Sequence, residues 1–212
     1  VNGEPETWTP PSALALALEA AEQVSGAFLY VTRHTRLERG HLITEMDPAE
    51  RQVFLSTQQA VQRTLAEDGW THLADGRFRR SYHHPAQRVV LKLGPPHLNR
   101  SETARSAAAG THPSPAPLMP VLHCSPGGSL LAMVRAERLL RHDRRAGALR
   151  AADAHTIRQR LAHDVRGLHL PGLSGLRDLH DANIGLWRDR WTVLDYAEHG
   201  DRERGGPSGR IR

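Results

Sequence analysis

Hydrophobic and polar positions divide the chain into segments of different period. In "MDPAERQVFLSTQQAVQRTLAEDGW" the apolar residues Phe54, Val61 and Leu65 recur at helical spacing, which predicts an α-helix with one buried face. Asp47 supplies an N-cap, Pro48 fits the first helical position, Glu50 follows three residues after the cap, and Asp68 and Gly69 end the pattern. An earlier helix is expected from about Ser12 to Val24, closed by Gly26 and followed by a strand at "AFLYVT". Beyond Gly69 the period falls to two: "THLADGRFRRSYHH", a turn at "HPAQ" and "RVVLKL" read as three strands in antiparallel succession. In the last of them, alternation puts Val89, Leu91 and Leu93 on one face and Val90 and Lys92 on the other.

A short helical segment at "NRSETARSAAAG" follows. The proline-rich "THPSPAPLMP" then leads into a hairpin, "MPVLHCSPGGSLLAMVRAERLL", turned at "SPGG". Asp153 is expected to cap a long helix that points Ile157, Leu161, Val165 and Leu168 inward and ends before Pro171 and Gly172. The remainder reads as a polar loop, "SGLRDLHDAN", and a tight hairpin of "IGLW" and "WTVLDY" turned by "RDR". No internal repeat is visible. The fold class is therefore α+β, with a small antiparallel sheet.

Composition narrows the function classes. At 212 residues the chain fits one globular unit. The lone Cys124 can form no internal disulfide and belongs to no zinc-type cysteine pair, which fits a reducing compartment and a small buried side chain. The apolar run in "SALALALEAA" is broken by Glu19 far short of a membrane span and has no basic segment before it, so a cytoplasmic protein without membrane partners is expected. Net charge is +5 and unevenly placed: residues 1–70 hold 5 basic and 10 acidic side chains, residues 71–212 hold 23 basic and 13 acidic. The basic part attracts anions, either a polyphosphate nucleotide or nucleic acid. The 14 histidines show no metal-ligand spacing and read as surface or core residues.

Lys92 stands out against this background, as the single lysine in a chain with 27 arginines. A lysine is a compact charge on a flexible stem and an arginine a planar fork, so the two differ where a small oxyanion must be gripped in a tight space. In chain order, Lys92 in "VVLKL" is preceded by the glycine-containing turn at Gly76. After it come Glu102 in "NRSETARSAA", then "LRDLHDAN" at 176–183, with Asp178 and Asn183 five residues apart, and Asp195 in "VLDYA". This set resembles the protein-kinase-like fold, which includes aminoglycoside and choline phosphotransferases. The loop mixes the protein-kinase pattern H-R-D-L-x-x-x-N with the small-molecule branch's H-G-D-L-H-P-G-N. Leu176 stands where the loop histidine would be, and Tyr196 and Ala197 stand where protein kinases have Phe and Gly.

The resemblance implies a two-lobed architecture: a helical N-terminal extension over 1–69, a nucleotide-binding sheet lobe over 70–139, and a reduced helical lobe over 140–212 with the catalytic loop and a metal-binding hairpin. It implies ATP and Mg²⁺ as cofactors and a hydroxyl on a protein or small molecule as acceptor. Lys92 would hold the α- and β-phosphates, oriented by Glu102. Asp178 would serve the acceptor hydroxyl, and Asn183 and Asp195 would ligate magnesium. The loop at Gly76 would lie over the phosphates. An extended hinge, Met133 to Leu139 with Arg135 in it, would meet the adenine edge, and His180 matches the loop histidine of the small-molecule branch; as an ordinary loop histidine it would bond backbone instead. Two further readings stand beside the enzyme: a nucleotide- or partner-binding pseudokinase and, more weakly, a basic nucleic-acid-binding protein resting on runs such as "RLLRHDRRAGALR".

Overall fold

The first two helices form where local chemistry allows them to start and stop. Helix α1 spans Ser12–Ser25 and α2 spans Pro48–Glu67. Asp47 caps α2: its Oδ1 accepts from the amides of Ala49 at 2.8 Å and Glu50 at 3.4 Å, two donors with no partner inside the helix. At the other end Gly69 adopts φ +83°, and a Cβ there would come within 3.0 Å of the His84 ring. Only glycine fits both constraints. Phe54, Val61 and Leu65 are buried as their spacing predicts.

The computed structural model describes residues 7–25, 47–76, 79–112, 116–169 and 179–196. The expected strand at 27–32, Gly26 and Asp178 lie outside them. Among the described residues eight strands follow α2: β1 (Thr71–Asp75), β2 (Arg80–His83), β3 (Val89–Leu93), β4 (Val121–Cys124), β5 (Leu130–Val134), β6 (Arg138–Leu139), β7 (Ile184–Trp187) and β8 (Arg190–Val193). The first five make an antiparallel sheet of order β1-β2-β3-β5-β4, and the last three a small sheet of order β6-β7-β8. Helices α3 (Pro96–Gly110), α4 (Leu140–Arg145) and α5 (Ala151–Gly167) lie between strands in the chain. The α+β class is thus observed, and among the described residues no helix is long and apolar enough to cross a membrane.

Alternation decides how the large sheet is covered. Val89, Leu91 and Leu93 of β3, with Leu130 and Ala132 of β5 and Tyr82 of β2, pack against Trp8, Leu14, Leu18 and Ala21 at the N-terminus, Val61 and Leu65 of α2, and Trp70 just after it. The N-terminal helices therefore share the core of the sheet. Leu131 and Met133 of β5 point the other way, into a second core with Leu161 and Val165 of α5, Ile184, Val193 and Tyr196. Burying each such side chain contributes roughly 1.5–3 kcal/mol. Coverage on both faces explains why β5 is buried along its whole length, while β1 at the edge is exposed throughout.

Glu22 of α1 ties the prefix to a distant turn. Its carboxylate accepts from Ser125 Oγ at 2.6 Å, the Gly127 amide at 2.8 Å, the Ser129 amide at 3.3 Å and Ser129 Oγ. These groups form the β4–β5 hairpin turn, where Gly128 has φ +84° and a Cβ on Gly127 would collide with the Glu22 carboxylate. The sheets are joined by the segment before β4: Val193 N donates to Pro117 O at 2.8 Å and Met119 N to Val193 O at 2.9 Å.

Three local expectations are corrected. Helix α5 begins at Ala151, ahead of Asp153, and Arg150 takes the cap position without a side-chain cap. Ala151 and Ala152 extend the helix backwards, and Asp153 sits in the first turn, where its negative charge suits the helix dipole and accepts from Arg150 Nε at 2.9 Å. Helix α3 starts at Pro96, three residues before the expected segment, since proline lacks only an amide that the first turn would leave unpaired. The last hairpin turns on two residues: Arg188 and Asp189 have φ +49° and +58°, the left-handed pair whose twist matches the strands, and Arg190 already pairs with Trp187.

Candidate functional site

Helix α3 buries a stripe that a soluble helix would ordinarily fill with apolar residues. Leu98, Asn99, Glu102, Arg105 and Ala109 face inward, three of them polar. Buried polar groups need partners, and each of the three has them. Asn99 Nδ2 donates to Gly128 O at 2.8 Å, and Arg105 donates to Tyr196 O. Glu102, with no exposed surface, accepts from Lys92 Nζ at 3.0 Å, from the Tyr196 amide at 3.3 Å and from Arg79.

Lys92 reaches Glu102 because β3 turns it onto the sheet face opposite the N-terminal helices. Its register partners Ser81 on β2 and Leu131 on β5 share that face. The ammonium also donates to Leu194 O at 2.6 Å, which fastens β3 to the segment just after β8. Burial pushes the Lys92 pKa down, against the attraction of Glu102. The next residue, Asp195, has a side chain 29% exposed and accepts from Arg79. Tyr196 then buries its ring and donates from its hydroxyl to Met119 O at 2.6 Å. Burial, reinforced by the charge of Glu102, holds that phenol well above its ordinary pKa.

Arg79 is the site residue absent from the sequence reading. It is 5% exposed and bridges two carboxylates, Nη1 to Glu102 and Nη2 to Asp195, with a longer contact to Asn99 Oδ1 at 3.4 Å. Burial works against its charge, but Glu102 and Asp195 outweigh this and hold its pKa above the usual value. The signal was period two on β2: Tyr82 faces the first core, so Arg79, Ser81 and His83 share the Lys92 face. In "RFRR" that phase is masked by the surrounding arginines.

The remaining predicted positions divide. Asn183 closes the 3₁₀ turn Asp181–Asn183, and its carbonyl accepts from Leu194 N at 2.9 Å, so the backbones at Asn183 and Asp195 lie one residue apart across the hairpin. An amide and a carboxylate oxygen there suit a hard cation such as magnesium, which takes few protein ligands and leaves the rest to phosphate and water. Among the described residues, however, no group of three or more His, Cys, Asp or Glu side chains could hold a metal, and Arg79 already engages Asp195. His180 accepts from Ala182 N at 3.2 Å through Nδ1, capping the same turn. Asp181, not singled out by the sequence, pairs with both Arg144 of α4 and Arg158 of α5 and so anchors the loop. Gly76 closes a turn by donating to Arg79 O at 2.8 Å, which ties the glycine turn to the site arginine. The Arg135 amide donates to Arg88 O at 2.8 Å, so this donor of the expected hinge is engaged within the protein. Asp178 lies outside the described residues.

No protein-family model matches the chain, and no curated protein matches it.

Proposed function

We propose that the chain is an ATP- and magnesium-dependent phosphotransferase of kinase-like, two-lobed form, acting on a hydroxyl of a protein or small molecule. One observation carries the reading: the sole lysine of the chain is ion-paired at 3.0 Å to a fully buried glutamate on the following helix, and its ammonium also touches the backbone next to Asp195. A buried pair of this kind is a costly way to gain stability, since desolvation of both charges offsets most of their attraction. A role in holding phosphate accounts for it better.

In this reading the five-stranded sheet with α3 is the nucleotide-binding lobe, α1 and α2 are the N-terminal extension packed on it, and α4, α5 and the β7–β8 hairpin belong to the reduced helical lobe. Lys92 grips the α- and β-phosphates while Glu102 fixes the ammonium's position. Asn183 and Asp195 would hold magnesium, which would supply the positive charge that the phosphate oxygens need. Asp178 takes the proton of the acceptor hydroxyl as its oxygen bonds to the γ-phosphorus and the bond to the β-phosphate oxygen breaks. Asp181, pinned by Arg144 and Arg158, positions the turn that carries Asn183.

The pseudokinase reading has an observation of its own, the engagement of Asp195 by Arg79. The nucleic-acid reading loses support because several arginines in and just after the basic run at 138–150 are ion-paired within the protein, Arg138 with Asp143, Arg150 with Asp153, and Arg144 and Arg158 with Asp181. Incubation with γ-labelled ATP and magnesium tests the proposal. Transfer of label to the protein or release of phosphate, lost in Asp178→Asn while nucleotide binding persists, is the expected result. Binding without turnover in the parent selects the pseudokinase, and no binding removes both readings.

A further inference from the structure

We infer that Arg79 is an internal counter-cation that holds Asp195 closed to divalent metal, so that metal loads only when the guanidinium withdraws. This rests on the assignment of Asp195 as a metal ligand and adds a regulation of that same site. A single guanidinium spans two carboxylates from different elements, Glu102 of α3 and Asp195 after β8. A metal at Asp195 must compete with it. Because arginine does not deprotonate in proteins, the exchange is between cations, and no proton leaves.

Three features make the exchange feasible. Asp195 keeps 29% of its side-chain surface exposed, so a cation from solvent can reach it, whereas Glu102 at 0% cannot be reached. Glu102 in turn retains Lys92 and the Tyr196 amide as donors when Arg79 leaves, so its buried charge stays compensated. Arg79 also keeps a partner other than Asp195, since its Nη1 donates to Asn99 Oδ1 at 3.4 Å while Nη2 serves Asp195. The structure thus corresponds to a metal-excluding state, and divalent cation concentration becomes the signal that opens it.

The test uses Mn²⁺ alone, titrated into the full chain and followed by loss of the free-ion electron paramagnetic resonance signal. Arg79→Gln should bind Mn²⁺ at least about tenfold tighter than the parent, a difference of about 1.4 kcal/mol, and Arg79→Gln combined with Asp195→Asn should lose that gain. Arg79→Lys should move in the same direction, since one ammonium cannot span both carboxylates, and it carries the comparison if the glutamine variant does not fold. In the parent, Mn²⁺ should also speed hydrogen exchange at the Gly76 amide, which is bonded to Arg79. Equal Mn²⁺ affinity in parent and Arg79 variants overturns the inference and leaves the phosphotransferase proposal standing. Absence of any Asp195-dependent Mn²⁺ binding overturns it too, and a separate ATP titration then decides whether the nucleotide site survives.

Discussion

Lys92 and Glu102, ten positions apart in the chain, meet at 3.0 Å in the interior, where the glutamate has no exposed surface. The lysine arrives on the inner phase of β3 and the glutamate on the inward stripe of α3. If position 92 required only positive charge, Lys92→Arg would be silent in a chain that uses arginine everywhere else. The ammonium, however, fits between Glu102 and Leu194 O, 2.6 Å away, and the wider guanidinium must displace one of them. Transfer is expected to fall by at least about tenfold, a barrier increase of roughly 1.4 kcal/mol, measured as ATP turnover by folded variant. Glu102→Ala should instead act on stability. It leaves two buried cations without their shared carboxylate, and chemical denaturation should register a loss of about 3–5 kcal/mol.

The hydroxyl of Tyr196 donates to Met119 O at 2.6 Å within the second core. Tyr196→Phe leaves that carbonyl without its donor and should cost about 1–3 kcal/mol in denaturant unfolding. A pH effect accompanies it. Burial raises the folded phenol's pKa, so its stabilisation is fully present below the unfolded value of about 10 and is lost as pH rises from there toward the folded one. The parent should therefore lose stability more steeply than Tyr196→Phe above about pH 10; parallel curves would show that the phenol ionises alike in both states.

The prefix was legible as helices and illegible as a partner of the sheet. Periodicity located α1 and α2, and alternation separated Val89, Leu91 and Leu93 from Lys92, because both depend on neighbours in sequence. What covers the sheet depends on contacts across the chain, such as Glu22 with the Gly127 amide 105 residues away. Arg79 was missed for a related reason: its phase is set by Tyr82, but its meaning comes from Asp195, 116 residues on. Lys92, Glu102, Asn183 and Asp195 could be singled out because each stands in a recognisable local string. Asn99, Glu102 and Arg105 were equally regular in sequence, yet polar side chains at helical spacing give no sign of which side is buried.

Glu22 makes the prefix part of the fold, and its removal should show this. In Glu22→Ala the Ser125 and Ser129 hydroxyls and the Gly127 amide lose a charged acceptor. Since hydrogen bonds to charged groups contribute about 1.5–3 kcal/mol, a loss of about 2 kcal/mol is expected in the denaturant midpoint at unchanged slope. A change under about 0.5 kcal/mol, the range of neutral surface substitutions, would mean that α1 docks through Leu14, Leu18 and Ala21 alone.

The most direct measurement on the central claim is calorimetric titration of ATP into the folded parent with and without magnesium, repeated with Asp195→Ala. The account expects saturable one-site binding that magnesium strengthens in the parent and not in the variant, with a thermal stabilisation of roughly 2.7 kcal/mol at about a hundred times the dissociation constant. Folded parent protein that takes up no ATP at millimolar nucleotide and magnesium would contradict it.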